Sequence, residues 1–127
     1  MILLLDENLP PRVAEAMNTL GTIEAYHVRK YLPPGTTDVE VFDFLADKPD
    51  WVLVTQDAKI TRRPHELAAL RQANVGAFVL TGAADRNVEG MLSFLVGCLD
   101  GMRREVARVR RPFVIGISDR KRFERLV

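Results

Sequence analysis

Short apolar runs alternate along the chain with stretches whose apolar residues recur at helical spacing. Ile2–Leu5 is wholly apolar, as expected of a strand buried on both faces of a parallel sheet. Asn8 is placed to cap a helix whose first turn holds Pro10 and Pro11. Val13, Ala16, Met17 and Leu20 share one face of that helix, and Gly21 ends it. Ile23–Val28 reads as a second strand, followed by a loop with Gly35 and two prolines. Thr37-Asp38-Val39-Glu40 is a capping box opening a helix to about Asp47. Trp51–Thr55 reads as the third strand, and Pro64 starts a helix to about Ala73. Ala77–Thr81 is a fourth strand, and a long helix carrying Gly90 and Gly97 spans Arg86 to about Val109. Phe113–Ile117 is a fifth strand, with a short basic tail after it.

This alternation predicts an α/β fold, a mainly parallel sheet of about five strands with helices on both faces. With 127 residues, no repeat and no linker, the chain reads as a single domain over 1–127 with a basic C-terminal region. It is 47% hydrophobic and 28% charged, which excludes intrinsic disorder. One cysteine, Cys98, excludes an intramolecular disulfide and a Cys-rich zinc site. The apolar run Met91–Leu99 is interrupted by Ser93 and Gly97 and is shorter than the roughly 20 residues of a membrane span. No basic leader precedes Ile2, so a soluble cytoplasmic protein with no membrane partner is expected.

Charge changes the picture through its distribution. Residues 1–50 hold 4 Lys/Arg against 9 Asp/Glu, whereas 51–127 hold 14 against 8. In open parallel sheets, sites lie outside the carboxyl ends of the strands. There the predicted strands deliver Asp6, Glu7 and Asn8, then Thr55, Gln56 and Asp57, then Thr81 and Gly82, and Asp38 opens a helix within reach of the same edge. Clustered carboxylates resist joint ionisation, and a hard divalent cation such as Mg²⁺ or Mn²⁺ relieves the repulsion. A cation so held activates water and stabilises charge on a phosphate being cleaved. Each residue also has a structural account. Asp38 and Glu40 suit the positive end of a helix, Glu40 completes the capping box, and Asp57 suits a turn.

Three stretches resemble the PIN-like domain family. Met1-Ile2-Leu3-Leu4-Leu5-Asp6-Glu7-Asn8-Leu9-Pro10 is similar to its strand-DEN-Leu-Pro opening. Thr37-Asp38-Val39-Glu40-Val41 resembles its acidic helix start, and Val52-Leu53-Val54-Thr55-Gln56-Asp57 its strand ending in Thr-x-Asp. With Ala77–Thr81 in the same plan, the likeness covers about 80 residues. The resemblance implies a Rossmann-like α/β/α domain and a Mg²⁺- or Mn²⁺-dependent endoribonuclease. It also implies the toxin of a toxin–antitoxin pair, restrained by a cognate antitoxin protein. Its metal ligands and catalytic residues would be Asp6, Asp38 and Asp57, with Glu7 and Glu40 as secondary acids and Asn8 and Thr55 as support. Relatives often continue Asp-x-Asp, but here the run is Asp57-Ala58-Lys59. Lys59, Arg62 and Arg63 are therefore candidate contacts to RNA phosphates, or a solvated loop.

Other residues add less. His27 reads as a packed or partly exposed strand residue, His65 as exposed, Cys98 as inert core, and Trp51 and Phe78 as core. Gly90 and Gly97 share a helical face, open to a close helix contact in a homodimer or to a break in the helix. Residues 103–125 hold nine Lys/Arg against three Asp/Glu, a surface for RNA or for an acidic antitoxin segment. Two other functions compete. One is a catalytically impaired PIN-like module that binds RNA or protein, suggested by Lys59. The other is a phospho-acceptor receiver domain, disfavoured because Ser118-Asp119-Arg120 follows the fifth strand where a Lys-Pro would be required.

Overall fold

The computed structural model describes residues 1–82 and 86–127. Its strands are β1 (Ile2–Leu5), β2 (Glu24–His27), β3 (Trp51–Thr55), β4 (Gly76–Leu80), β5 (Phe113–Ile117) and β6 (Phe123–Arg125). Its helices are α1 (Pro11–Leu20), α2 (Asp38–Leu45), α3 (Pro64–Gln72) and α4 (Val88–Arg108). The strands form one sheet in the order β2-β1-β3-β4-β5-β6, parallel except for the antiparallel β5–β6 pair. The expected α/β architecture is present, with one strand more than predicted.

Strand pleating sorts the core into two layers, because successive side chains point to opposite faces. Leu3, Leu5, Val52, Val54, Phe78, Leu80, Phe113 and Ile115 pack with Val13 and Met17 of α1 and with Met91, Phe94 and Leu95 of α4. Leu4, Leu53, Ala77, Val79 and Val114 pack on the opposite face with Val41, Phe42 and Leu45 of α2 and Leu70 of α3. Buried on both faces, β4 and β5 are apolar throughout apart from their glycines.

Several expectations need correction. Asn8 does not cap α1; Pro10 holds that position without a side-chain bond, and Gly21 closes the helix at φ 72°. The buried face of α1 is Val13, Ala14 and Met17, and Leu20 is 56% exposed. β2 is shorter than Ile23–Val28, because a 3₁₀ turn begins at Val28. The basic tail adds a strand not foreseen, since Phe123–Arg125 pairs with β5. Gly97 belongs to an unbroken helix, and a Cβ there would lie 2.5 Å from Lys121 Nζ of the same chain. Gly90 lies under the α4 cap, its N–H donating to Asn87 Oδ1 at 2.7 Å. Both glycines thus have accounts within the chain. Trp51 is only half-buried and stacks on Tyr26, 5.4 Å between centroids, at the sheet edge away from the carboxylates. His27 and Cys98 are packed inside as expected; His27 Nε2 lies 2.7 Å from the Leu9 carbonyl. Burial pushes the Cys98 thiol up to about 11, which keeps it protonated.

Candidate active site

The pleat also decides which helices each acidic residue meets. Leu4 faces α2 and α3, so Asp6, two residues on, points to the same side. Trp51 and Leu53 lie on that side too, which puts Thr55 there. The β1–β3 register pairs Leu5 with Val54 and so sets Asp6 beside Thr55. The Asp6 N–H donates to the Val54 carbonyl at 2.9 Å, and the Thr55 hydroxyl donates to Asp6 Oδ2 at 2.8 Å. Asp6 is 8% exposed and Thr55 1%, so this bond supports a carboxylate largely removed from water.

Thr55 Oγ1 is a hub. It also accepts from Asn8 Nδ2 at 3.2 Å and from the Asp57 N–H at 3.1 Å. Asn8 Oδ1 accepts from the Gln56 N–H at 3.1 Å, tying the loop after β1 to the loop after β3. Asn8 therefore serves the site instead of the helix.

Asp57 follows β3 and caps a 3₁₀ turn, its Oδ1 accepting from the Lys59 N–H at 3.0 Å. That turn leads into α3, which carries Arg63 at its N-cap and Glu66 in its first turn. Arg63 Nη1 lies 2.8 Å from Asp57 Oδ2, 3.0 Å from Glu66 Oε2 and 3.5 Å from Asp38 Oδ2. One guanidinium nitrogen thus stands among three carboxylates drawn from α2, α3 and the turn after β3.

Asp38 shows how crowded the negative charge is. Its pKa is raised to about 6, first by burial, then by the charges of Asp6, Glu66 and Asp57, and last by hydrogen bonding to the Glu66 carboxyl. Arg63 gives its hydrogen bonds to Asp57 and Glu66 and stands farther from Asp38, at 3.5 Å.

Asp6, Asp38 and Asp57 thus come together, and Glu66 joins them. Sequence reasoning missed Glu66. Its signal was faint: an acidic residue in the first turn of the helix after the Asp57 loop, where a helix dipole alone accounts for it. Glu66 adds a carboxylate from α3 where position 59 holds lysine. Glu7 is not part of the cluster; it accepts from the Gly35 N–H at 3.2 Å and lies 3.8 Å from Arg29. Glu40 belongs to the α2 cap, where Thr37 Oγ1 accepts from the Glu40 N–H at 3.2 Å and donates to its carboxylate at 2.9 Å. Lys59 and Arg62 are exposed beside Asp57, while Arg63 turns inward to the carboxylates.

The basic C-terminal region does not form one surface. Arg103, Arg104 and Arg108 lie toward the end of α4, and Arg110 and Arg111 lead into β5, at the sheet edge opposite the carboxylates. Arg120, Lys121 and Arg122 follow β5, at the same edge as Asp6 and Asp57.

A family model described as a PIN-like domain matches residues 1–82. The chain belongs to the PIN-like domain family. The match takes in β1 to β4 and all four clustered carboxylates. PIN-like domains are commonly nucleases, which replaces the receiver reading of this fold. No curated protein and no solved structure matches the chain. Among the described residues, no helix is long and apolar enough to cross a membrane. Nor, among those residues, are three or more His, Cys, Asp or Glu side chains disposed to hold a metal ion as they stand.

Proposed function

We propose that this chain is a Mg²⁺- or Mn²⁺-dependent endoribonuclease, acting in the cytoplasm as the toxin of a toxin–antitoxin pair. The observation that carries the reading is the convergence of Asp6, Asp38, Asp57 and Glu66 at the carboxyl edge of the sheet in a PIN-like chain. The donor set suits a hard divalent cation, since every donor is a carboxylate oxygen. Asp38, whose pKa is raised first by burial and then by the charges of Asp6, Glu66 and Asp57, lies where negative charge is crowded.

Asp6, Asp38, Asp57 and Glu66 would hold the ion. Once bound, it would activate water and stabilise charge on the phosphate being cleaved. The chain's own part is positional. Thr55 orients Asp6, Asn8 ties the two strand-end loops, and the Lys59 N–H orients Asp57. The exposed Lys59 and Arg62 are suited to phosphates of the RNA backbone, contacts that add affinity without reading sequence. Arg103, Arg104, Arg108, Arg110 and Arg111, at the far edge, suit an acidic segment of a cognate antitoxin better than the strand being cut. A homodimer gains no support from Gly90 or Gly97, whose neighbours lie within the chain.

A second reading, a PIN-like binding module without turnover, is favoured by one observation: Arg63 already neutralises part of the cluster. The deciding experiment is cleavage of a mixed RNA panel by purified protein with Mn²⁺, Mg²⁺ or EDTA, with Asp57→Asn alongside. Metal-dependent cleavage lost in Asp57→Asn supports the nuclease. RNA binding that persists with no cleavage under any condition overturns it in favour of the module.

A further inference from the structure

We propose that Arg63 is an internal counter-ion that competes with the divalent cation for the carboxylates. The inference rests on the metal-site reading above and concerns how that site is occupied.

The geometry is specific. Arg63 Nη1 makes hydrogen-bond contacts of 2.8 Å with Asp57 Oδ2 and 3.0 Å with Glu66 Oε2, with Asp38 Oδ2 at 3.5 Å. A single nitrogen is therefore shared by oxygens of three carboxylates. Oxygen ligands close on Mg²⁺ at about 2.0–2.1 Å. The three oxygens cannot do so while a guanidinium nitrogen stands between them.

The hold on Arg63 is of a kind that can be exchanged. Its side chain is 42% exposed, so its contacts are screened by water, and ion pairs of that exposure are weak individually. It emanates from the N-cap of α3, after a turn anchored by buried Ile60, and its side chain can swing outward without moving that anchor. Displaced toward solvent, the guanidinium would join Lys59 and Arg62 in the exposed loop, and cations that suit RNA phosphates would then flank the site. Metal entry would thus convert Arg63 from a ligand of the carboxylates into part of the basic rim.

The test is Mn²⁺ binding by calorimetry, read without any nuclease assay, on the full chain and on Arg63→Gln, with circular dichroism to confirm folding. Removing a unit positive charge at contact distance from the binding oxygens should tighten Mn²⁺ binding by about tenfold or more. Equal or weaker binding by Arg63→Gln overturns the competition while leaving the metal site intact. Absence of binding in both proteins overturns the metal-site reading and this inference with it. A second measurement needs no variant. In the wild-type chain, the ¹⁵N side-chain resonances of Arg63 should lose their restricted, hydrogen-bonded character as Mg²⁺ is added to saturation. Unchanged Arg63 resonances at saturating Mg²⁺ overturn the proposal.

Discussion

Replacing Thr55 by valine tests whether the site is organised through its buried hydroxyl. Valine keeps the shape and β-branching of threonine, so the packing of β3 is preserved and only the oxygen is lost. That oxygen donates to Asp6 at 2.8 Å and accepts from Asp57 N–H at 3.1 Å and Asn8 Nδ2 at 3.2 Å. The bond to Asp6 weighs most, because its acceptor is a carboxylate only 8% exposed. Hydrogen bonds to charged groups contribute about 1.5–3 kcal/mol and neutral ones about 1 kcal/mol. Asn8 is exposed and recovers water, so its share is small. The expected loss for Thr55→Val is about 2–4 kcal/mol. With a urea m-value of about 2 kcal/mol/M, the midpoint should fall by roughly 1–2 M at unchanged slope. Thr81→Val is the control, since the Thr81 hydroxyl makes a single 3.2 Å bond to the Ile117 carbonyl from an exposed position. A midpoint for Thr55→Val no lower than that of Thr81→Val would refute the hub assignment.

Three further outcomes follow from the structure. Asp38 binds its proton up to about pH 6 in the folded chain and near 3.8 when unfolded, so its ionisation destabilises the fold above that window and not below it. Asp38→Asn should therefore gain on the order of 2 kcal/mol over wild type at pH 8 and little at pH 3.5; urea unfolding at both values checks this, and a gain confined to low pH would contradict it. A Cβ at Gly101 would meet the Phe123 ring, whereas one at Gly97 meets only the flexible end of Lys121. Thermal unfolding should show Gly101→Ala losing about 1–3 kcal/mol and Gly97→Ala losing little or gaining. Replacing Lys59 and Arg62 together by alanine should weaken RNA binding in filter or anisotropy assays and flatten its dependence on log salt by about two charge contacts; an unchanged salt slope would remove both from the interface.

What the sequence disclosed depended on whether a signal was local. The apolar runs of β1, β3 and β5 are visible because strands buried on both faces need no alternation. Asp6 and Asp57 were legible because they end such runs at the edge where sites form. The α2 start was legible because its capping box is a four-residue signal. Asn8 misled because capping and bridging two loops call on the same amide, and only the β1–β3 register reveals which one wins. β6 carried little signal, since Phe123-Glu124-Arg125 is short, charged and at an edge. Glu66 and the inward turn of Arg63 depend on where α3 docks against α2, a tertiary fact with no local pattern. The basic region read as one surface because charge counts ignore topology; α4 carries one part of it to the far edge, and β5 brings the rest back.

The central claim is that one divalent cation binds among Asp6, Asp38, Asp57 and Glu66. Crystals grown with Mn²⁺ and measured for anomalous scattering would test it most directly. The account predicts a single strong peak within coordinating distance of Asp6 and Asp57 oxygens, with Arg63 withdrawn from Asp57 and Glu66. Saturating Mn²⁺ with no peak at these carboxylates, and Arg63 still seated on Asp57 and Glu66, would contradict it.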